Sequence, residues 1–145
     1  MRAMDQLKEY FSCKDAISFA VLFGSRSVGR ERSASDLDSA IYFTPRNRRT
    51  IEYEECNDYP ARETMEKDLE ALLKTEVDLI VLNNSPCGLA SEVVTKGIPI
   101  LVKDEELFAR FSWVVTSAAM DYREFVKEYY AMFHRTTSLS KENSD

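Results

Sequence analysis

The residues best suited to chemistry are two carboxylates two positions apart, preceded by a glycine-serine pair. Ten residues separate Gly24-Ser25 from Asp36-Leu37-Asp38. Side chains alternate along a strand, so Asp36 and Asp38 would project from one face about 6 to 7 Å apart. Two such carboxylates repel each other unless a cation lies between them, and Mg²⁺ favours carboxylate oxygens together with substrate phosphates. The pattern predicts two Mg²⁺ ions serving an in-line phosphoryl transfer.

The Gly24-Ser25 turn is suited to binding phosphate. A glycine after a strand lets the backbone turn sharply and present N–H groups to an anion, and Ser25 adds a hydroxyl donor. We expect this turn to bind a nucleoside triphosphate. Arg26 is a candidate further contact to phosphate, with a surface charge as the alternative.

A third carboxylate, Asp78, completes the set if the strand that carries it lies beside the Asp36 strand. Facing residues on neighbouring strands have Cβ atoms about 4.5 to 5.5 Å apart. We assign Asp78 as a ligand of the second metal and as proton acceptor from an attacking hydroxyl, since a tyrosine hydroxyl has a pKa of about 10. Glu76 shares the alternation and is the rival, but Asp78 lies further into the strand.

Apolar periodicity and turn residues predict the elements that position these side chains. Predicted helices cover Asp5–Cys13, with Asp5 as N-cap; Tyr59–Leu73, with Met65, Leu69, Leu72 and Leu73 inward; Cys87–Lys96, capped by Gly97; and Glu105 to about His134, with Asp104 as N-cap. Predicted strands cover Ile17–Phe23, Asp36–Phe43, Val77–Leu82 and Ile98–Val102, with a loop over 44–59. This order predicts a mixed α/β fold, with a small sheet flanked by helices and a long C-terminal helix.

Length and charge limit the function further. The 145 residues include 44% hydrophobic side chains, which is enough for one domain, expected over 1–134 with a polar, flexible tail over 135–145. The net charge of -6 argues against direct nucleic-acid binding, since phosphate-backbone affinity requires excess Lys and Arg. No apolar stretch is long enough for a membrane span and no signal peptide is evident, so we expect a cytoplasmic protein.

The last predicted helix is too long for the core alone. At 1.5 Å per residue it would run about 45 Å, so part of it should leave the domain. Residues 107–118 fit core packing, whereas the aromatic group over 122–133 favours an interface with a partner or with a second copy.

Three segments resemble the minimal nucleotidyltransferases of the polymerase-β-like superfamily: Phe23-Gly-Ser-Arg-Ser-Val-Gly29, Ser35-Asp-Leu-Asp-Ser-Ala-Ile41 and Val77-Asp-Leu-Ile80. More narrowly, the chain resembles the MntA-type antitoxins paired with HEPN ribonuclease toxins. The resemblance implies a nucleotidyltransferase-type fold, ATP as donor, two Mg²⁺ ions, and transfer of AMP to a tyrosine of the toxin in a type VII-like system. It implies nucleotide binding at Gly24 and Ser25, and metal binding at Asp36, Asp38 and Asp78. Ser39 and Val81 depart from the family, which often has Leu and Asp there.

Two other functions stay open at this level. A non-catalytic antitoxin would neutralise the toxin by occlusion through the end of the last helix. The other is a nucleotidyltransferase with a small-molecule acceptor, such as an aminoglycoside, which would gain from an extra acceptor-binding domain that the chain is too short to hold.

Overall fold

The computed structural model describes residues 2–24, 37–45 and 59–143, and of 135–143 the backbone alone. The helices are α1 (Ala3–Ser12), α2 (Ala61–Leu73), α3 (Cys87–Lys96) and α4 (Glu105–Asn143); the strands are β1 (Ile17–Phe23), β2 (Leu37–Phe43), β3 (Val77–Val81) and β4 (Ile98–Val102). A short 3-10 turn, Leu82–Asn84, follows β3. The predictions for Ser25, Arg26 and Asp36, and for most of the 44–59 loop, lie outside the described residues.

The strands form one sheet in the order β3-β2-β1-β4. β1 is antiparallel to both of its neighbours, and β2 is parallel to β3. β1 is almost wholly apolar and buried because it is central and helices cover both faces of the sheet. The mixed α/β fold expected from the sequence is confirmed.

Each face of the sheet is covered by a pair of helices. α1 and α2 contribute Leu7, Phe11, Met65 and Leu69 to the core on one face. α3 and α4 contribute Ala90, Val93, Phe111 and Val115 to the core on the other. α1 and α2 are also joined by Tyr10, whose hydroxyl donates to Asp68 Oδ2 at 2.9 Å. Partial burial, together with this hydrogen bond, raises the pKa of Tyr10, so the hydroxyl keeps its proton and remains a donor.

Two predicted helix details are wrong, each for a local reason. Asp5 is not an N-cap: α1 begins at Ala3, which places Asp5 in the first turn. Leu72 is 43% exposed, because the inward row of α2 continues at four-residue spacing from Leu69 to Leu73. Gly97 is the C-cap of α3, as predicted: its N–H donates to the Val93 carbonyl at 2.8 Å, with an extended φ of -76°. A Cβ at Gly97 would lie 2.9 Å from the Leu22 carbonyl oxygen, so close packing on β1 requires the glycine.

The long C-terminal helix is confirmed and is longer than predicted. The Leu107 N–H donates to Asp104 Oδ1 at 3.0 Å, which confirms Asp104 as the N-cap. α4 continues past His134 to Asn143, because the sequence contains no glycine or proline after Pro99 to end it. Within the described parts of the chain, no helix is long and apolar enough to cross a membrane.

Candidate active site

Three of the residues predicted to do chemistry, Gly24, Asp38 and Asp78, lie together at one edge of the sheet, where β1 ends and β2 and β3 begin. The end of β1 lies beside the start of β2, where Phe23 pairs with Asp38. Asp38 in turn pairs with Asp78 across the parallel β2-β3 ladder. Register partners on neighbouring strands project to the same face, so the two carboxylates share one face of the sheet. The predicted placement of the Asp78 strand beside the Asp38 strand is confirmed.

Gly24 completes this edge where β1 ends. Its φ is +83°, a left-handed conformation that side chains other than glycine rarely adopt. A Cβ built on Gly24 would overlap Asp38 Oδ2 and would lie 3.2 Å from Asp38 Cγ. The Asp38 carboxyl group therefore lies directly against the Gly24 backbone, and both the turn and the packing require a glycine.

The carboxylate pair lies between a solvent-accessible edge and a rigid core. Ala40 and Tyr42 follow Asp38 on the same face of β2 and are fully buried beneath α3 and α4. Asp38 itself is half-buried, and Asp78 on the outer strand is exposed. The backbone that carries the carboxylates is thus fixed by packing, and the Asp78 side chain is exposed to solvent.

The two departures from the resembled family lie on the other face. Ser39 pairs with Leu22 and Leu79, is fully buried, and has a hydroxyl oxygen with no hydrogen-bond partner among the described residues. Val81 is buried in the same core as Leu79. Because side chains alternate along a strand, neither departure touches the face that carries Asp38 and Asp78.

The donor set suits a divalent metal ion. Asp38 and Asp78 supply hard carboxylate oxygens on one face, and the chemistry of these groups fits Mg²⁺. Asp36, the third predicted ligand, lies outside the described residues, as do Ser25 and Arg26. Among the residues that the structure describes, no group of three or more His, Cys, Asp or Glu side chains forms a metal site. Glu76, the rival of Asp78, precedes β3, and its backbone carbonyl accepts from the Leu37 N–H at 2.9 Å.

A basic residue that the sequence did not single out borders the site. Arg62 of α2 lines, together with Asp78, Tyr59 and Asn84, a cleft of about 320 Å³ beside the outer strand. Its Nη1 donates to the Leu79 carbonyl at 3.0 Å and to Glu66 Oε2 at 2.7 Å. In the sequence, the only sign of a role for Arg62 is its position four residues before Glu66, and this spacing by itself indicates only a surface ion pair.

The fold and the carboxylate-bearing edge together define a nucleotidyltransferase-type domain. The family model described as polymerase beta, nucleotidyltransferase matches residues 5–106, and the chain belongs to this family. The family expected from the sequence is therefore confirmed. No curated protein is significantly similar in sequence.

Three solved structures have the same fold. A toxin-antitoxin structure with AMP-PNP has a TM-score of 0.67 at 22% identity, and the similarity covers 94% of this chain and 99% of that chain. The toxin-antitoxin MntA-HepT has a TM-score of 0.62 at 19% identity, covering 93% and 97%. The tri-AMPylated Shewanella oneidensis HEPN toxin in complex with MNT antitoxin has a TM-score of 0.58 at 22% identity, covering 91% and 98%.

Proposed function

We propose that this chain is the antitoxin of a type VII-like toxin–antitoxin pair and transfers AMP from ATP to a tyrosine of a HEPN ribonuclease toxin in the cytoplasm. The observation that carries the proposal is the register of Asp38 with Asp78 beside the Gly24 turn. Family membership supports the chemistry. The similar structures, which include a complex with AMP-PNP and an AMPylated HEPN toxin, support the donor and the acceptor.

In the proposed reaction, the Gly24 and Ser25 turn binds the ATP phosphates, with Arg26 as a further contact. Asp36, Asp38 and Asp78 would hold two Mg²⁺ ions, which when bound would supply positive charge beside the triphosphate and the pyrophosphate. The tyrosine oxygen attacks the α-phosphorus, a new O–P bond forms, and the bond from the α-phosphorus to the bridging oxygen breaks to release pyrophosphate. Asp78 accepts the tyrosine proton, a role favoured by its exposed position on the outer strand.

The cleft beside Asp78 is the proposed entry for the acceptor. It opens on the outer edge of β3 and is bordered by Tyr59 and Arg62. A tyrosine that enters there reaches the Asp78 carboxylate without crossing the Gly24 turn, which leaves that turn to the nucleotide.

The proposal is tested with the HEPN-type protein encoded beside this chain, incubated with the chain and Mg-ATP. Intact-mass and peptide mass spectrometry should find AMP on a toxin tyrosine, and EDTA should abolish the transfer. Asp38→Asn should reduce the rate more than about 100-fold, because a metal ligand is lost. Ser39→Ala is the matched control on the same strand, since its side chain faces away, and it should leave the rate within about 3-fold. An unmodified toxin, with both proteins folded, would disprove the proposal.

A second candidate is favoured by one observation, the exposed aromatic end of α4. In this alternative, the chain neutralises the toxin by occlusion and transfers nothing. Asp36→Asn combined with Asp38→Asn separates the two functions. Occlusion survives the double substitution, so the ribonuclease stays inhibited, whereas an antitoxin that acts by AMP transfer releases an active ribonuclease.

A further inference from the structure

The second half of α4 carries a large apolar surface that the domain does not cover. Ala119 is the last buried residue of α4 among those whose side chains are described. From Tyr122 onward, six large aromatic or sulfur-containing side chains are each between 57% and 66% exposed: Tyr122, Phe125, Tyr129, Tyr130, Met132 and Phe133. Monomeric proteins rarely expose so many large apolar side chains together, and such patches mark interaction sites.

These side chains continue the face that α4 buries in the core. Phe111 and Val115 are fully buried, and the alternate three- and four-residue steps that follow lead to Tyr122, Phe125 and Tyr129. Steps of three and four residues keep side chains on one face of a helix. The opposite face of the same segment is charged, with Lys127 and Glu124 3.7 Å apart. The uncovered segment is therefore amphipathic, in phase with the core.

The first half of α4 is anchored on the sheet, and the uncovered segment lies beyond these contacts. The Lys103 N–H, just before α4, donates to the Ser18 carbonyl at the start of β1. Phe108 and Phe111 pack on Phe19, with ring centroids 4.8 and 5.6 Å apart. Phe111 also packs on Tyr42 of β2, with ring centroids 4.7 Å apart. The described contacts of α4 with the sheet therefore belong to its first half.

The pattern of the face indicates what covers it. In heptad terms, Tyr122 and Tyr129 occupy a positions, Phe125 and Met132 occupy d, and Val126 and Phe133 occupy e. An apolar a/d/e face is wider than a two-helix seam and is typical of a helix packed on a bundle. Burying six such side chains removes on the order of 700 Å² from this surface, close to one side of a standard protein interface.

Charge argues against a second copy of the chain as the occupant. The flanking g positions are acidic, Asp121 and Glu128. An antiparallel pair would place these carboxylates opposite each other, and a parallel pair would place them against the apolar e residues. A basic partner avoids both costs, and a ribonuclease that binds RNA phosphates carries such a surface.

We propose that the a/d/e face of residues 122–133 docks between helices at a basic surface of the toxin that the proposed function takes as acceptor, and so holds that toxin on the domain that carries Asp38 and Asp78. The inference rests on that function. The docking face would supply affinity for the acceptor, whereas the carboxylate edge supplies the chemistry. A change in the face should therefore raise the KM for the toxin and leave kcat nearly unchanged.

The test uses the full chain, two variants of it, and as probe the HEPN-type protein encoded beside this chain. Phe125→Asp combined with Phe133→Asp places charge in the face and leaves the tyrosines untouched. Met120→Asp is the matched control, because Met120 is 62% exposed on the same helix but lies about 140° around it from Phe125. Calorimetry measures binding, steady-state transfer measures kcat and KM, and circular dichroism confirms that each variant is folded.

The double variant should bind the toxin at least about 30-fold more weakly, with KM raised in proportion and kcat within about 3-fold, and the control should match the natural chain. Equal binding by the double variant would overturn the docking face while leaving the proposed transfer intact. Tight binding without any AMP transfer by the natural chain would refute the proposed transfer. The comparison of binding by the natural chain and the double variant would still decide whether the face docks the toxin. A dimer of the chain alone that the double variant dissociates would identify a second copy as the occupant and overturn the proposal.

Discussion

At the scale of single residues, Gly24 and Asp38 are packed so closely that the position of the Asp38 carboxyl group requires a residue without a side chain at position 24. The left-handed backbone of Gly24 turns the chain out of β1, and the Asp38 carboxyl group occupies the space that a Cβ at position 24 would need. A nucleotide phosphate that approaches the turn would therefore meet bare backbone with a carboxylate beside it. The glycine serves the geometry of the carboxylate as well as the conformation of the turn.

Gly24→Ala should consequently lower both stability and transfer. The left-handed conformation costs a residue with a Cβ about 1 to 2 kcal/mol, and the overlap with Asp38 Oδ2 displaces the carboxylate. We expect AMP transfer to fall by about 100-fold, since small displacements of reacting groups have effects of this size. Gly88→Ala is the control, because a Cβ at Gly88 meets nothing within 4 Å in the first turn of α3. Urea unfolding and transfer rates should separate the two variants; equal effects would contradict the role given to Gly24.

The sequence predicted which carboxylates would meet, but it did not predict how glycines are used. Alternation along a strand placed Asp38 and Asp78 on one face once β2 and β3 were paired, and it is a local rule that survives folding. The reason for Gly97 is not local, because the glycine is required by Leu22 on another strand. The steric need for Gly24 likewise depends on a side chain across the β1-β2 ladder. The binding and catalytic roles of all the predicted site residues stay predictions: Gly24, Ser25, Arg26, Asp36, Asp38 and Asp78.

At the scale of elements, the outer strand β3 is protected by side chains of α2. Glu70 Oε1 accepts from the Val77 N–H and Glu66 Oε2 accepts from the Leu79 N–H, both at 3.4 Å. Arg62 donates to the Leu79 carbonyl and to Glu66. Edge strands with unpaired backbone groups invite pairing with other chains, so these side chains cover part of that edge. They also hold in place the strand that carries Asp78.

Removal of the Arg62 side chain should therefore destabilise the chain more than removal of an ordinary surface ion pair. We expect Arg62→Ala to lower the free energy of unfolding by about 1 kcal/mol, because it removes a charged hydrogen bond to the strand and leaves Glu66 without its cation. Lys96→Ala is the control: its pair with Glu92 is 3.3 Å long, both side chains are more than 60% exposed, and the loss should stay below about 0.5 kcal/mol. Chemical denaturation of both variants checks this, and similar losses would show that α2 does not support β3.

The elements were predicted well where one local signal dominates, and poorly where two compete. β1, β4 and α3 begin and end at the predicted residues, since apolar runs bounded by turn residues set these limits. The start of α1 was misjudged because Asp5 is as favourable in a first turn as at an N-cap. The end of α4 was misjudged because a polar segment without glycine or proline does not have to stop being helical.

At the scale of the whole molecule, two parts of the chain differ in charge and in exposed apolar surface. Residues 1–50 contain 9 basic and 6 acidic side chains and include the turn proposed to bind phosphate, whereas residues 51–145 contain 10 basic and 19 acidic ones. The acidic part includes α4, whose exposed face carries the aromatic side chains. A basic toxin would be attracted to that part, while the less acidic segment remains available to the ATP phosphates.

This division predicts that the chain truncated after Asp121 still folds. The truncation removes only side chains beyond Ala119, where burial on α4 ends, so the free energy of unfolding should fall by less than about 1 kcal/mol. ATP binding should persist because Gly24, Asp38 and Asp78 remain, but AMP transfer at low toxin concentration should be lost.

Phe111→Ala in the full chain is the opposite case: its ring is fully buried between Phe19 and Tyr42, and the free energy of unfolding should fall by about 3 to 5 kcal/mol. Thermal melts and nucleotide titrations measure both variants. If the truncated chain unfolded, the second half of α4 would belong to the folding core. If it folded and kept full transfer at low toxin concentration, that half would have no docking role, because removal of a docking element must lower the affinity for the toxin.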